Sequence, residues 1–394
     1  MIYADNAATT KLSDAALNAM LPFLKEQYAN ASSLHSAGQE CSEALFEARS
    51  AIASCLGCKA NEIYFTSGGS EADTMALLSA AEYGKKNGKM HIISTAFEHH
   101  AVLNTLKKLK KDGFDIELLP VGTKGNITAR QVEDAIRHDT CLVTVMYANN
   151  EIGSVLPVAE IGEVCKKHGV LFHTDAVQAA GKTEIDVEKQ NIDMLSLSAH
   201  KFHGPKGIGL LYARRGVILQ PVIYGGMQER GKRAGTENIP AIVGMARALS
   251  DSLSNMQKTN EHLLEMRKII IDGLGNIPHS ALNGDSASFM PGIINYCFEG
   301  IEGESLLLML DAKGIEVSSG SACASGSLDP SHVLLAIGRP HEIAHGSLRI
   351  SLSEYNTTDD AHEIVKAVTE TVNYLRSISP VWHDLVQGKR EFIL

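Results

Sequence analysis

The sequence predicts an α/β fold with a mostly parallel sheet, because short β-branched and apolar runs alternate with segments of helical periodicity. Seven such runs occur, at residues 63–66, 91–95, 116–121, 141–147, 170–175, 194–198 and 207–212. Between them, residues 71–83 and 159–168 carry apolar side chains at helical spacing and are predicted to be crossover helices. The chain has 394 residues, too many for one ordinary core, so a second domain is expected.

The character of the sequence changes after about residue 246. A long helix is predicted from there to about residue 274, with strands following at residues 293–298, 315–318 and 348–352. These elements predict a smaller α+β domain. We therefore expect an N-terminal segment of residues 1–14 packed with the small domain, a large domain of residues 15–256 and a small domain of residues 257–394.

Charge and cysteine content exclude several classes of protein. The net charge is −10 and no block of five or more lysines and arginines occurs, which argues against a nucleic-acid or anionic-membrane surface. No apolar run approaches the roughly 18 residues of a membrane span, and the start lacks the basic and apolar regions of a secretion signal, so a cytoplasmic protein is expected. The seven cysteines are scattered and odd in number, which predicts reduced thiols.

Lys201 is the most informative residue of the predicted large domain. It follows an apolar strand and stands among Ser198, His200, His203 and a glycine-rich turn. A lysine that forms a Schiff base with pyridoxal phosphate needs neighbours that lower its pKa and others that bind the cofactor's phosphate, and Ser198 and His200 are candidates for the phosphate. Taken alone, the segment fits a solvated lysine as well.

Three further polar sets follow predicted strands, where ligands bind in open α/β sheets. Ser70 and nearby backbone N–H groups stand at a predicted helix start and could hold a phosphate. His99 or His100 could stack on an aromatic ring or move protons. Asp175 ends an apolar strand, where a buried carboxylate could pair with a protonated pyridine nitrogen, and Gln178 could bond the ring's phenolic oxygen. A plain helix start, a surface histidine and a helix cap are the respective structural alternatives.

Five longer motifs accompany these residues. They are residues 98–103 (EHHAVL), 148–153 (ANNEIG), 175–178 (DAVQ), 198–201 (SAHK) and 318–333 (SSGSACASGSLDPSHV). With residues 4–9 (ADNAAT), they make the chain similar to the cysteine desulfurases of the NifS/IscS family, which are fold-type-I pyridoxal-phosphate enzymes. That resemblance implies conversion of L-cysteine to L-alanine, with the sulfur kept on the enzyme.

The resemblance also implies a role for each matching residue. Lys201 would form the Schiff base, His99 would stack on the cofactor ring, Asp175 would pair with its nitrogen, and Asn150 and Gln178 would contact cofactor or substrate. The phosphate would be held by Gly69, Ser70, Ser198 and His200, and by Thr236 from the other subunit of a homodimer with shared sites. Arg349 would bind the substrate carboxylate, for which a guanidinium is better suited than an ammonium group.

Cys323 lies in a run of serine, glycine and alanine that has little to bury, so an exposed and mobile loop is expected. By resemblance its thiolate attacks the sulfur of L-cysteine and becomes a persulfide. A nearby histidine could take the thiol proton, but the sequence does not identify it. The long loop resembles that of relatives which pass sulfur to scaffold proteins, and the acceptor stays open between iron–sulfur assembly and other sulfur delivery.

Two other motifs offer alternatives. Residues 341–345 (HEIAH) satisfy the zinc-protease pattern, although Pro340 and Gly346 leave room for only about one helical turn. Cys55 and Cys58 form a C-x-x-C that could be a redox pair or half a zinc site, and their position at a predicted helix end favours structural residues. No metal is therefore expected. Selenocysteine as substrate, an aminotransferase and a non-enzymatic binding module remain further alternatives.

Overall fold

The computed structural model describes residues 1–319 and 330–394. Its helices are α1 (Asp14–Lys25), α2 (Ser36–Leu56), α3 (Gly69–Lys86), α4 (His100–Lys111), α5 (Ala129–Ala135), α6 (Val158–His168), α7 (Ile239–Leu274), α8 (Gly303–Ala312), α9 (His332–Ala336), α10 (His341–His345), α11 (Thr358–Ile378) and α12 (Pro380–Val386). Its strands are β1 (Ile2–Tyr3), β2 (Ile63–Thr66), β3 (His91–Thr95), β4 (Asp115–Leu119), β5 (Thr140–Thr144), β6 (Leu171–Asp175), β7 (Met194–Ser198), β8 (Gly209–Ala213), β9 (Ser280–Asn283), β10 (Ile293–Phe298), β11 (Ile315–Glu316) and β12 (Ser347–Ser351).

The large sheet has seven strands in the order β2-β8-β7-β6-β5-β3-β4, which confirms the predicted mostly parallel α/β architecture. Strand β8 runs antiparallel to both of its neighbours, and the other pairings are parallel. The predicted strand at residues 141–147 ends earlier, at Thr144. The chain nevertheless stays beside β6, because the Val145 N–H donates to the His173 carbonyl and the Tyr147 N–H to the Asp175 carbonyl.

Side chains alternate between the two faces of this sheet, and each face is covered by helices. One face packs on α3 and α4, with strand residues such as Ile92, Met194 and Leu211 in the shared core. The other face packs on α2, α6 and the first part of α7, with Ile93, Leu195 and their neighbours. Because helices cover both faces, the strands are apolar almost throughout, which is why their sequence runs were easy to locate.

A second, antiparallel sheet has the order β12-β10-β9 and packs on α8, α11 and the last part of α7. Helix α7 has 36 residues and begins at Ile239, so the start predicted near residue 246 was wrong. The Asn238 side chain accepts a hydrogen bond from the Ala241 N–H, and Pro240 occupies the first turn, which together fix the earlier start. The expected domain boundary at residues 256/257 lies inside this helix and stays a prediction.

The N-terminal segment contacts both sheets. Strand β1 pairs in parallel with the two-residue strand β11, so the strand expected at residues 315–318 is shorter than predicted. The Asn6 side chain donates to the Ser351 carbonyl at 2.9 Å, and the Thr10 N–H donates to the His200 carbonyl at 2.9 Å. Within residues 1–319 and 330–394, no helix combines the length and apolar character needed to cross a bilayer.

Candidate active site

Lys201 and Asp175 lie at the same edge of the large sheet. Strands β6 and β7 are parallel neighbours, so their carboxyl ends meet there. Asp175 is the last residue of β6, and a single 3-10 turn (Ala199–Lys201) follows β7 and carries the lysine. The half-buried Lys201 Nζ donates to the Ala7 carbonyl at 2.7 Å and to the Ala8 carbonyl at 2.8 Å. Two carbonyls of the N-terminal segment therefore fix the amine.

The Asp175 carboxyl is buried, with 6% of the residue exposed. Burial raises its pKa, and the nearby His99, a hydrogen bond from the Val177 N–H and the charge of Lys201 oppose that rise. The bond from Val177 N to Asp175 Oδ1 is 3.0 Å long. The neighbouring groups offset only part of the cost of burying this carboxylate, so it favours a cationic partner. A protonated ring nitrogen is such a partner.

His99 caps the N-terminus of α4, where its Nδ1 accepts a hydrogen bond from the Ala101 N–H at 3.2 Å. Burial lowers its pKa, so the imidazole is neutral at physiological pH. One ligand-type atom each from His99, Asp175 and Asp73 lie within 4.8 Å of one another. The sequence reasoning missed Asp73, although a charged residue on an apolar face of α3 was the signal that could have found it.

Four of the five residues expected to hold a phosphate lie together. Gly69, Ser70, Ser198 and His200 line one cavity of about 390 Å³ at the N-terminus of α3, and Lys206 lines it as well. An 18-residue helix presents backbone N–H groups and the positive end of its dipole there. Burial, with the charges of nearby lysines, lowers the pKa of His200 to about 4, so its ring is neutral. This arrangement can bind an anion.

Gly69 is required at this helix start by close packing. A Cβ at that position would lie 2.7 Å from Val177 Cγ2. Val177 belongs to the turn that follows Asp175. Its side chain packs on Gly69 and its N–H bonds the Asp175 carboxylate, so one residue joins the anion-binding cavity to the carboxylate. A larger residue than glycine would push the two parts of the site apart.

Gln178 bonds to the same carbonyl as the lysine. Its Nε2 donates to the Ala7 carbonyl at 2.8 Å, and its Oε1 accepts from Lys182 Nζ at 3.4 Å. Burial lowers the pKa of Lys182 to about 8. The Ala7 carbonyl therefore brings the Gln178 and Lys201 side chains together, and the N-terminal segment orients both.

Arg349 lies on β12 of the second sheet and is 2% exposed. Its Nη2 donates to Asp5 Oδ1 at 2.7 Å and its Nη1 donates to the Asn150 carbonyl at 3.1 Å. In the described part of the chain, its Nε has no hydrogen-bond partner. The structure thus brings Arg349 and Asn150 together and adds Asp5, which the sequence reasoning did not single out.

Cys323 lies in residues 320–329, outside the described residues, and its expected position is not tested. The flanking residues are anchored on both sides. Ser318 and Arg349 exchange two backbone hydrogen bonds, and the Ser331 hydroxyl donates to the buried Glu151 carboxyl while capping α9. On α9 the His332 ring lies 4.6 Å from that of His100, and its Nε2 donates to the Glu98 carbonyl.

Thr236 is exposed and belongs to the segment that precedes α7. Arg233 of the same segment pairs with Glu71 at the start of α3, with 3.0 Å between Nε and Oε1. The segment is therefore tied to the helix that lines the phosphate-type cavity. The role of Thr236 in a neighbouring subunit's site stays a prediction.

The two competing motifs have structural settings. His341 and His345 are the first and last residues of the five-residue helix α10. Pro340 precedes this helix, Gly346 ends it, and β12 begins at the next residue. One turn is too short to continue to the third ligand of a zinc protease. Cys55 and Cys58 stand at the end of α2, and burial raises the pKa of both thiols, that of Cys58 to about 12. Thiols with raised pKa are poor nucleophiles and poor ligands.

Comparisons with known proteins agree with this architecture. The family model for aminotransferase class-V matches residues 2–364. A cysteine desulfurase IscS of Clostridium botulinum is 49% identical over 393 residues, covering 99% of each chain.

Two solved structures are similar throughout. One, described as a NifS-like protein, superposes with a TM-score of 0.89 and 38% identity, covering 95% of this chain and 100% of the other. A second, described as SspA in complex with cysteine, has a TM-score of 0.79 and 37% identity, covering 91% of this chain and 100% of the other. The chain therefore belongs to the aminotransferase class-V family and, within it, to the NifS/IscS-type cysteine desulfurases.

Proposed function

We propose that the chain is a pyridoxal-phosphate-dependent cysteine desulfurase that converts L-cysteine to L-alanine and transfers the sulfur to Cys323. The observation that carries the proposal is the convergence of Lys201, Asp175 and an anion-binding cavity at one edge of the sheet. The names of the relatives support the same activity, and the structure of SspA with cysteine supports L-cysteine as the substrate.

The residues present fit pyridoxal phosphate. The cavity at the start of α3 suits its phosphate, Lys201 Nζ suits its aldehyde, Asp175 suits a protonated pyridine nitrogen, and His99 offers a flat neutral ring. When bound, the cofactor withdraws electrons from the substrate's Cα. Gly69, Ser70, Ser198 and His200 would hold its phosphate, and Gln178 and Asn150 would contact cofactor or substrate.

Lys201 has two tasks in this proposal. Its Nζ would hold the cofactor covalently at rest, and after the substrate amine replaces it, the free amine would take the proton from the substrate Cα. The Ala7 and Ala8 carbonyls keep Nζ within a small volume, so the base stays near the carbon it must reach. Asp175 would hold the opposite charge beside the ring nitrogen throughout.

Arg349 would bind the substrate carboxylate. Its guanidinium is buried on β12 and its Nε donor is unpaired among the described residues, so an incoming carboxylate would satisfy a donor that is otherwise costly. Asp5 and the Asn150 carbonyl hold the other two nitrogens. The fork is therefore oriented before the substrate arrives, which reduces the entropy cost of binding.

Cys323 would receive the sulfur. The carbon–sulfur bond of L-cysteine breaks, the sulfur bonds to Cys323 Sγ as a persulfide, and the substrate β-carbon gains hydrogen to become the methyl group of L-alanine. The thiol is oxidised to the persulfide and the carbon is reduced, so no external redox agent is needed. His100 and His332 are our candidates to accept the Cys323 thiol proton, because His332 follows the cysteine segment closely in sequence at the start of α9 and its ring lies 4.6 Å from that of His100 at the start of α4.

Three further expectations belong to the same proposal. The working form would be a homodimer in which Thr236 reaches the phosphate of the other subunit's cofactor. The sulfur would pass to an iron–sulfur scaffold protein or another acceptor. The protein would work in the cytoplasm, with no membrane or nucleic acid as a partner.

Reconstitution with pyridoxal phosphate tests the proposal. Wild-type protein should release sulfide and L-alanine from L-cysteine in the presence of a thiol reductant. Cys323→Ala should keep the cofactor's colour and lose at least about a hundredfold in turnover. The control variant Cys55→Ala, which replaces a half-buried cysteine outside the proposed site, should stay active. Lys201→Ala should lose the reducible lysine adduct. Full activity in Cys323→Ala would remove the persulfide mechanism, and an α-keto acid in place of L-alanine would support the aminotransferase alternative.

A further inference from the structure

Asp73 is a second buried carboxyl group beside Asp175. It lies on the face of α3 that packs on the sheet and is 1% exposed. An oxygen of Asp73, an oxygen of Asp175 and a ring nitrogen of His99 all lie within 4.8 Å of one another. Asp73 Oδ1 has no hydrogen-bond partner among the described residues. A buried carboxyl so close to the proposed ring site must have a defined charge for the site to work.

The charges around Asp73 differ from those around Asp175. His99, Lys201 and the Val177 N–H all favour an ionised Asp175. Burial raises the pKa of Asp73, the charges of Asp175 and Glu98 raise it further, and only the Ser196 hydroxyl opposes them. Glu98 is itself fully buried, which raises its pKa to about 8. Two carboxylates at this separation do not both ionise readily, and the charge of Lys201 together with the hydrogen bond from the Val177 N–H favours ionisation of Asp175.

His173 does not supply the missing cation. Its Nε2 lies 3.6 Å from Asp73 Oδ1. That separation exceeds the about 2.7–2.9 Å of a charge-assisted hydrogen bond. Its two ring nitrogens instead bond the hydroxyls of Thr144 at 2.8 Å and Ser196 at 3.0 Å, which suits a neutral ring. Burial lowers its pKa to about 3.

We propose that Asp73 is a positioning residue that carries a proton beside Asp175 and so leaves Asp175 as the one carboxylate facing the ring nitrogen. His173 lies beside Asp73, with its Nε2 3.6 Å from Asp73 Oδ1, and its own ring is held by the hydroxyls of Thr144 and Ser196. The inference rests on the proposed function, because it assigns Asp73 a task toward the proposed cofactor. Asp73 acts through Asp175 and touches neither substrate nor the reacting atoms.

Infrared spectroscopy of the cofactor-loaded protein tests the proton directly. A protonated carboxylic acid has a carbonyl stretching band that an ionised carboxylate lacks, and ¹³C-labelled aspartate shifts that band only if it belongs to an aspartate. At neutral pH, wild-type protein should show one label-sensitive band of this kind. Asp73→Asn should remove it, whereas Glu98→Gln should leave it in place, since Glu98 carries no aspartate label.

Cofactor affinity supplies the second measurement. Asp73→Ala should weaken the binding of pyridoxal phosphate about tenfold, because the truncation leaves space beside the Asp175 carboxylate, of which an oxygen lies within 4.8 Å of an Asp73 oxygen. Asp73→Asn should restore the affinity to within about threefold of wild type. Asparagine is uncharged and of the same shape, so it mimics the protonated form. Rescue by asparagine is not expected if Asp73 acts through a negative charge.

The outcomes separate the two proposals. Absence of the aspartate band in wild-type protein, its persistence in Asp73→Asn, or an asparagine variant no better than alanine would each overturn the role of Asp73. Absence of the band from labelled wild-type protein overturns the proposal even if Asp73→Asn fails to fold, and loss of the band in Asp73→Asn assigns the proton to Asp73 rather than to Asp175 or Asp193, whose pKa values burial also raises. If wild-type protein binds no pyridoxal phosphate, the proposed function fails, while loss of the band between cofactor-free wild-type protein and Asp73→Asn still reports the proton on Asp73.

Discussion

The buried ion pair between Arg49 and Glu229 allows one stability prediction to be worked through. Arg49 Nη1 and Nη2 donate to Glu229 Oε2 and Oε1 at 2.8 and 2.6 Å, and both side chains are largely buried, at 11% and 3% exposure. Glu229 Oε2 also accepts from the Phe65 N–H at 3.1 Å. The pair joins α2 and β2 to the segment that leads to Thr236.

Removing one partner of this ion pair should lower the free energy of unfolding by far more than the intact pair contributes to it. Glu229→Gln leaves a buried guanidinium with a neutral partner, and breaking a buried pair in this way typically costs about 3–5 kcal/mol. Glu229 and Arg230 also hold positive φ angles of 45° and 58°, which the surrounding bonds must stabilise at roughly 1–3 kcal/mol each. We therefore expect Glu229→Gln to lower the free energy of unfolding by about 3 kcal/mol.

Chemical denaturation of the cofactor-free protein measures the effect. A double-mutant cycle with Arg49→Met should show coupling of more than about 1 kcal/mol, because the double variant no longer buries an unpaired charge. The exposed pair Arg247–Asp251 is a control, with side chains 55% and 38% exposed, and its coupling should be about 0.3–0.5 kcal/mol. A loss below about 1 kcal/mol in Glu229→Gln would refute the reasoning, since water would then be reaching the pair.

Three further predictions concern the site. Burial holds the pKa of Glu98 at about 8, above its ordinary 4.5, so the folded protein binds an extra proton between these values and loses stability as pH rises through them. Glu98→Gln should remove that dependence and raise the free energy of unfolding at pH above 8 by up to about 5 kcal/mol relative to wild type. Parallel pH curves for the two proteins would contradict this prediction. Gly69→Ala should destabilise the cofactor-free protein by about 1–3 kcal/mol, because the new Cβ would lie 2.7 Å from Val177 Cγ2. In thermal unfolding, the additional change Val177→Ala should recover most of this loss. No recovery would show that the contact with Val177 is not the cause. Arg349→Lys should weaken L-alanine binding to the cofactor-loaded protein about tenfold or more, measured as a change in cofactor absorbance, and unchanged affinity would show that the guanidinium fork is not used.

Much of the architecture of the seven-stranded sheet could be predicted, because each buried strand has a continuous apolar run. The same runs located Asp175 and Lys201 at strand ends. Their closeness depends on β6 and β7 being neighbours in the sheet, which the sequence suggests only through the order of the strands. The start of α7 was misjudged because its first turns are rich in alanine, isoleucine and proline, and the Asn238 cap was not recognised.

The residues that were missed share a physical property: their importance comes from a partner far away in sequence. Asp73 looks like an ordinary polar residue of a helix until the sheet buries it beside His173. Glu229 acquires its role from Arg49, 180 residues earlier. In the sequence, a charged residue that becomes buried is marked only by its position on an apolar face of a helix or strand. Asp73 on α3 shows that a charged residue at such a position is a candidate for a buried site.

The N-terminal segment explains why the site can be assembled from two separate sheets. The Ala7 carbonyl accepts from both Lys201 and Gln178 at the edge of the large sheet, and the Ala7 N–H donates to the Ser351 hydroxyl on β12 at 2.9 Å. Asp5 pairs with Arg349 on that same strand. Lys201 and Arg349 are thus held by Ala7 and Asp5, which are two positions apart in the chain. A shift of either sheet would therefore move both side chains through this short piece of backbone. Because these contacts use mainly backbone groups, the identity of the alanines matters less than the path of the chain, which their small side chains allow to lie close to the site.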